Sequence, residues 1–310
     1  MANRVVALAG GVGGAKLAHG LAQIVPPEDL TIIVNTGDDF EHLGLHISPD
    51  LDTVMYTLAG IANPETGWGQ AGETWNFLDA IGKLGGETWF RLGDRDLATH
   101  VERTRRLRAG ESLTQVTAAL CAALGVQPRL LPMTDDWVGT VVHTDEGRLE
   151  FQRYFVYRRC EPRVHSIEYE GLENAQPTSE VLTALESADA IIFCPSNPFL
   201  SLDPILGLPG VRDRVEAKGA IAVSPIVGGQ AIKGPAAKML AELGLDVTAA
   251  SVAAHYAGLL SGFVLDHVDA PLKAKIEADG SPVYVTDTLM RSTADRARLA
   301  RDVLTFAANL

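Results

Sequence analysis

Four aspartates stand in two short runs near the amino terminus: Asp38 and Asp39 in Asn35-Thr36-Gly37-Asp38-Asp39, and Asp50 and Asp52 in Ser48-Pro49-Asp50-Leu51-Asp52-Thr53. Ahead of them lies Gly10-Gly11-Val12-Gly13-Gly14-Ala15-Lys16. A glycine turn lets backbone N–H groups approach an anion, and a following helix adds roughly half a positive charge at its N-terminus. Lys16 supplies a full one. Hard Mg²⁺ takes oxygen ligands, commonly one or two carboxylates completed by substrate phosphates and water. The combination points to metal-assisted chemistry on a phosphorylated nucleotide, with Gly11, Gly13, Gly14 and Lys16 binding phosphate and Asp38, Asp39 and Asp50 as candidate Mg²⁺ ligands. Asp50 and Asp52 also fit the first turn of a helix, where an aspartate caps it or complements its dipole, so that alternative stays open.

The elements that must position these groups are legible around them. Val5-Val6-Ala7-Leu8-Ala9 reads as a strand, and Leu17, Ala18, Leu21, Ala22 and Val25 mark a helix that Pro26-Pro27 stops. Leu30 to Val34 reads as a buried parallel strand ending in the Asn35 loop. The glycine run matches neither common nucleotide fingerprint. Lys16 falls where the dinucleotide pattern wants a glycine, and it is not followed by Ser or Thr. A turn that serves only helix-on-sheet packing is the plainer alternative.

From 51 to about 125 the pattern turns helical, with apolar faces over 51–61, 73–84, 96–108 and 112–124. Strands return over 137–143, pair across Asp145-Glu146-Gly147 with 149–157, and continue at 164–169. Four more strands are expected at 190–194, 220–224, 263–268 and 282–286, with helices over 235–243 and 293–308. The expectation is an α/β fold: a Rossmann-like, doubly wound, mostly parallel sheet with a helical insertion and an antiparallel strand section. Residues 1–45 and 126–310 form its nucleotide-binding core, and 46–125 the insertion that contributes to the acceptor site. Pro195-Ser196-Asn197-Pro198 and Pro225-Ile226-Val227-Gly228-Gly229 fall after strands, at the edge where such sheets bind ligands, which adds Ser196 and Asn197 to the nucleotide site.

Composition narrows the class. A chain of 310 residues that is 46% hydrophobic and 21% charged has the balance of a folded globular protein. Its net charge of −13 would repel a nucleic-acid polyanion. No signal-peptide pattern opens it, and the apolar stretch 247–265 is interrupted by polar residues, so a cytoplasmic protein without a membrane span is expected. Cys121, Cys160 and Cys194 share no metal-ligand spacing and read as reduced core residues. His42 and His46 have helical metal spacing, but Gly44 lies between them and no third ligand is evident. Arg91 and Arg95 sit in a loop and suit phosphate contact, whereas Arg106 and Arg108 read as a solvated helix face.

Six motifs in order carry a resemblance: the glycine run with Lys16, Asn35 to Asp39, Ser48 to Thr53, Leu92-Gly93-Asp94-Arg95-Asp96-Leu97-Ala98-Thr99-His100, Pro195 to Pro198, and Ser224 to Gly229. Together they resemble the 2-phospho-L-lactate transferase family, CofD, of deazaflavin coenzyme F-420 biosynthesis. The resemblance implies transfer of a phospho-acid from a guanosine diphosphate-linked three-carbon acid to the ribityl hydroxyl of the deazaflavin Fo, releasing GMP. It implies a Mg²⁺ cofactor, Fo contacts at Asp52 and Arg91, and a homodimer, and it makes Asp52 the candidate catalytic carboxylate. Relatives often carry Lys where this chain has Arg91; the charge survives, but a planar fork replaces a point charge. The alternative is a non-catalytic nucleotide- or nucleotide-sugar-binding regulator of the CofD-like YvcK type, which shares the glycine loop.

Overall fold

The computed structural model describes residues 4–310. Strand β1 (Val5–Ala9) is buried at every position and leads through Gly10 into α1 (Gly11–Ala22), after which β2 (Leu30–Val34) lies parallel to β1. A short hairpin, β3 (Phe40–His42) with β4 (Leu45–Ile47), precedes α2 (Pro49–Leu58), α3 (Asn76–Lys83), α4 (Asp94–Arg108) and α5 (Leu113–Ala123). Then come β5 (Arg129–Pro132), β6 (Gly139–Thr144), β7 (Gly147–Glu150) and β8 (Val164–Glu170). The rest alternates α6 (Ser179–Ser187), β9 (Ala190–Phe193), α7 (Asp203–Leu206), α8 (Val211–Lys218) and β10 (Ala220–Val223). The small hairpin β11 (Ile226–Val227) and β12 (Gln230–Ala231) follows, then α9 (Ala236–Glu242), α10 (Ala249–His255), β13 (Leu260–Asp266), α11 (Lys273–Ala278), β14 (Val283–Thr286) and α12 (Thr293–Ala307).

Seven strands form one sheet in the order β14-β13-β10-β9-β1-β2-β5, and every neighbouring pair is parallel. The expected doubly wound Rossmann-like sheet is therefore present. The chain runs outward from β1 through β2 to β5, then returns to β9 on the other side of β1 and proceeds to β14. That reversal makes the carboxyl edge around β1 and β9 the switch point at which such sheets take ligands. Strand β1 divides the core by alternation: Val6 and Leu8 join one buried cluster, while Val5, Ala7 and Ala9 join the other. Leu51, Val54, Met55 and Tyr56 of α2 and Leu113 of α5 pack in that second cluster, so part of the 46–125 stretch covers the sheet directly. Helix α3 buries no residue.

Several expected elements shift. Helix α1 starts at Gly11, before Lys16, because Gly10 is extended and Gly11 takes φ +60°, a left-handed conformation that suits glycine. The second strand of the antiparallel section stops at Glu150. Residues 153–157 form a helical turn instead, since Phe151 and Tyr154, three apart, bury on one side while Phe155 stays half-exposed. Strand β5 was not foreseen: four residues ending in Pro132 carry a weak signal, and a proline is tolerated because this is an edge strand. The β3–β4 hairpin, at three residues a strand, is too short to show a pattern in the sequence. It places His42 and His46 on adjacent strands, with His42 opposite Leu45 and His46 opposite Glu41, not on a helix.

Helix α1 packs on α12 through Gly20, where an added Cβ would meet the Arg296 carbonyl carbon at 2.6 Å, a backbone atom that cannot swing aside. Gly20→Ala is expected to destabilise the protein by about 1–3 kcal/mol despite its better helix propensity. Urea unfolding would show it as a lower midpoint with an unchanged slope; an equal or higher midpoint would mean that the two helices separate at little cost.

Candidate active site

The turns after β1, β2 and β9 meet at the carboxyl edge of the sheet, and α2 delivers Asp50 and Asp52 to the same place. Ser196 stitches the first turn to the third: its Oγ accepts from Gly10 N at 3.1 Å and donates to Gly10 O at 2.8 Å. Gly14 makes that approach possible, since a Cβ there would meet Ser196 Oγ at 2.6 Å. A Cβ on Gly13 would strike the Pro195 carbonyl oxygen. Asn197 caps the helical turn at 198–202 by accepting from Phe199 N at 3.0 Å. These two glycines thus serve close packing, and Asn197 serves a cap, whatever else they bind.

Asp50 does not cap its own helix. Its Oδ1 accepts from Gly11 N at 2.7 Å and its Oδ2 from Asn35 Nδ2 at 3.0 Å, while Asn35 Oδ1 accepts from Gly37 N at 2.8 Å. The carboxylate therefore caps the neighbouring helix α1, and the Gly11 N–H is already engaged. Ser48, the residue before α2, likewise turns away from the helix and donates to Asp39 Oδ2 at 2.7 Å, next to His46 Nε2 at 3.2 Å.

All three of Asp38, Asp39 and Asp50 are buried. Burial pushes Asp50 up to about 6, against the hydrogen bonds from Asn35 and Gly11. It pushes Asp38 well above the usual carboxylate range, with the Asp50 charge adding to it and Thr140 and Asn35 offsetting part. Asp39 is raised by burial, and His46, Ser48 and Arg103 restrain the shift. The groups acting on Asp38 and Asp50 include no cation. Asp38 Oδ1 and Asp39 Oδ1 have no hydrogen-bond partner. A buried carboxylate oxygen without a partner, such as Asp38 Oδ1, is the kind of hard donor that a divalent cation takes.

Across from the carboxylates, Lys16 Nζ donates to Met290 O at 3.1 Å. Burial, then Arg296 and Lys233, lower its pKa, as expected where several cations face one point. Lys233 reaches over the glycine turn to Thr66 O at 2.6 Å. These groups line a cleft of about 1020 Å³ that takes in Gly11, Gly13, Lys16, Asp38 and Asp50. Asp52, Arg91, Ser196 and Asn197 line it as well, whereas Gly14 and Asp39 lie behind its wall. A second hollow of about 870 Å³ opens beside Val5, Arg129 and Gln115 and contains none of these residues.

Two features had not been anticipated. One is an aromatic wall: Phe90 lies edge-on to Phe40 at 4.9 Å, Trp89 to His42 at 5.2 Å, and Phe151 stacks on Phe155 at 5.3 Å. Arg91 does line the cleft, with its guanidinium 4.1 Å over the Trp75 ring, whereas Arg95 bonds Ala71 O outside it. No spacing rule marks scattered aromatics. The other is Arg103, which is 1% exposed and grips Asp52 with both terminal nitrogens, at 3.0 Å for the Nη1 contact to Oδ2. Its signal was present: Asp96, His100 and Arg103 recur at helical spacing on one face of α4. Arg106 and Arg108 do lie at the surface, Arg106 pairing with Glu102 at 2.9 Å and Arg108 bonding Gly44 O at 2.8 Å. All three cysteines are free, and no helix among the described residues is long and apolar enough to cross a membrane.

A family model described as 2-phospho-L-lactate transferase CofD matches residues 5–304. The chain is 45% identical to a phosphoenolpyruvate transferase of Streptomyces griseus, over 98% of each chain. It is 38% identical to a 2-phospho-L-lactate transferase of Methanosarcina mazei, over 97% of this chain and 99% of that one. Among solved structures, a UPF0052 family member from Bacillus halodurans superposes with a TM-score of 0.61 at 14% identity, covering 98% of this chain and 99% of the other, which shows a common fold.

The buried acids make stability depend on pH in a defined direction. A carboxyl whose native pKa is raised binds its proton longer in the folded state than in the unfolded one, so stability falls as pH rises from the unfolded pKa towards the folded one. Asp38→Asn removes one such group. In chelator, its stability relative to the parent protein should grow with pH above 4 by up to about 1.4 kcal/mol per unit, and be near parity at pH 4. Melting curves at pH 4, 6 and 8 measure this; a constant offset at all three would show that Asp38 titrates normally.

Proposed function

We infer the function from one premise: the chain belongs to the 2-phospho-L-lactate transferase family, CofD, and is a transferase. We propose that it moves a phosphorylated three-carbon acid from a guanosine diphosphate-linked donor to the ribityl hydroxyl of the deazaflavin Fo, releasing GMP, in coenzyme F-420 biosynthesis. The observation that carries this reading is the convergence, in one cleft, of a glycine turn with Lys16, the buried acids Asp38 and Asp50, and an aromatic wall. The first two suit a diphosphate and the last a planar ring system.

In this reading the hydroxyl oxygen bonds to the donor's acid-bearing phosphorus as the bond from that phosphorus to the GMP oxygen breaks. The electron pair leaves on GMP. Lys16 stabilises the charge gathering on the phosphate oxygens, and the N-terminus of α1 adds its dipole. Asp38 and Asp50, which line the cleft, would hold Mg²⁺, with Asp39 behind them adding its charge, and the ion when bound would neutralise the diphosphate. Asp52 accepts the hydrogen bond of the attacking hydroxyl and takes its proton as the new bond completes, late in a loose transition state. Arg91, which lines the cleft together with Trp89 and Phe90, would contact Fo. Higher identity to relatives named phosphoenolpyruvate transferases than to the phospholactate enzymes supports an enolpyruvyl donor. Family membership supports a homodimer, which sedimentation would test.

Purified protein mixed with Fo and the guanylylated enolpyruvyl or lactyl donor should release one GMP per Fo consumed, faster with the enolpyruvyl form. Excess chelator should stop it and Mg²⁺ restore it. Binding of GDP without GMP release from either donor would favour the regulator. Undiminished turnover in chelator would remove the metal from the reaction. Lys16→Ala should also lose most of the thermal protection that GDP confers on the parent protein; equal protection would take Lys16 out of the phosphate site.

A further inference from the structure

The motif from Leu92 to His100 contains Asp96 and His100, to which the transfer reaction assigns no task, and Arg103 lies one turn beyond. All three project from one face of α4 onto Asp52 and Tyr56 of α2. Arg103 Nη1 donates to Asp52 Oδ2 and Nη2 to Oδ1, a bidentate fork, and Nη1 also lies 3.3 Å from His100 Nδ1. A guanidinium nitrogen can only donate, so this contact calls for His100 Nδ1 as the acceptor, which leaves Nε2 on the side of Asp96, 3.4 Å from its Oδ1. Asp96 Oδ1 accepts from the Tyr56 hydroxyl at 2.7 Å. The chain of contacts thus runs from Tyr56 through Asp96 and His100 to Arg103 and ends on Asp52.

Asp52, Asp96 and His100 offer ligand atoms within 4.8 Å of one another, close enough to suit a metal ion. Here the guanidinium already supplies the positive charge, on the same Asp52 oxygens that a metal would need. A buried arginine is an expensive way to fill space, because its desolvation must be repaid by good geometry. A planar fork gives what a lysine or a mobile ion would not: it fixes the rotation of the carboxylate about its own axis. With both oxygens engaged on the Arg103 side, only their outward lone pairs remain for the cleft that Asp52 lines.

We propose that Arg103 is the positioning residue of the transfer reaction: through its fork on Asp52, steadied by His100, it sets the direction in which Asp52 receives the acceptor's hydroxyl. The inference rests on the transferase reading above. It leaves Asp52 as the group that meets the hydroxyl, with Arg103 acting through it, and it gives the α4 motif its role.

Arg103→Lys keeps the buried charge and so protects the fold, but it loses the fork. It is expected to lower kcat on the order of a hundredfold, the usual consequence of misplacing a reacting group by about 1 Å, while the KM values for donor and Fo stay within about threefold. His100→Leu removes the acceptor for Nη1 and leaves the ion pair. It should lower kcat by roughly tenfold with the same KM pattern. GDP should protect both variants from thermal unfolding as it protects the parent. Parental kcat in a folded Arg103→Lys overturns the proposal. If that variant does not fold, parental kcat in His100→Leu does so instead. Loss of kcat together with GDP protection would mark a merely structural arginine and overturn it as well. A parent protein that releases no GMP fails at the transferase reading itself, and the proposal falls with it; an active parent separates the two.

Discussion

One buried carboxylate holds the working edge of this sheet together. Asp50 sits at the start of α2, yet both its oxygens are spent elsewhere, on the first N–H of α1 and on Asn35 at the end of β2. Parallel strands bring their carboxyl ends into line, but nothing in strand pairing fixes how the turns beyond them are posed. Asp50 does so for the β1 and β2 turns, and Ser196 does the equivalent between the β1 and β9 turns. Both use hydrogen bonds to backbone at a helix start, where N–H groups have no partner within the helix. The glycines follow from this. Gly10 admits Asp50 and Ser201, each within 2.7 Å of where a Cβ would sit, and Gly14 admits Ser196.

The same arrangement stores electrostatic cost. Asp38, Asp39 and Asp50 are desolvated together; the charges of Asp50 and Asp39 raise Asp38 further, that of Asp39 raises Asp50, and Arg103 is a cationic neighbour of Asp39. A few ångströms away, Asp52 has the opposite setting, a fully buried arginine in bidentate contact. Acids of one type are thereby given two characters by their surroundings: one set eager for a positive charge, one already satisfied. The satisfied one keeps only its outward lone pairs for further, directional contacts.

Much of this was legible in the order of residues. Strand β1 and β2 are runs of buried aliphatic residues with clear stops, and the four later strands of the sheet were each located to within a few residues. The aspartate runs and the glycine turn were recognisable because their types and spacing are unusual. What stayed hidden depended on three-dimensional neighbours. Arg103 stands among Arg105, Arg106 and Arg108 and looks like one more surface cation; only its register with Asp96 and His100 sets it apart. Trp89 and Phe90 gain meaning from Phe40 and His42, some fifty residues earlier. Asp50 reads as a cap on α2 because sequence shows the nearest helix start, whereas the structure gives it to α1.

The hydrogen bonds that close the cleft also join distant parts of the chain. Gly10 and Ser196 are 186 residues apart, and Lys16 and Met290 are 274 apart. While the protein is being synthesised, the glycine turn emerges first and waits through most of translation for the two segments that complete it. With the β1–α1–β2 segments made, the cleft is still open on two sides. The complete cleft arrives almost at the end of synthesis, once the segment around Met290 has docked, so a closed cleft reports on completion of the whole fold.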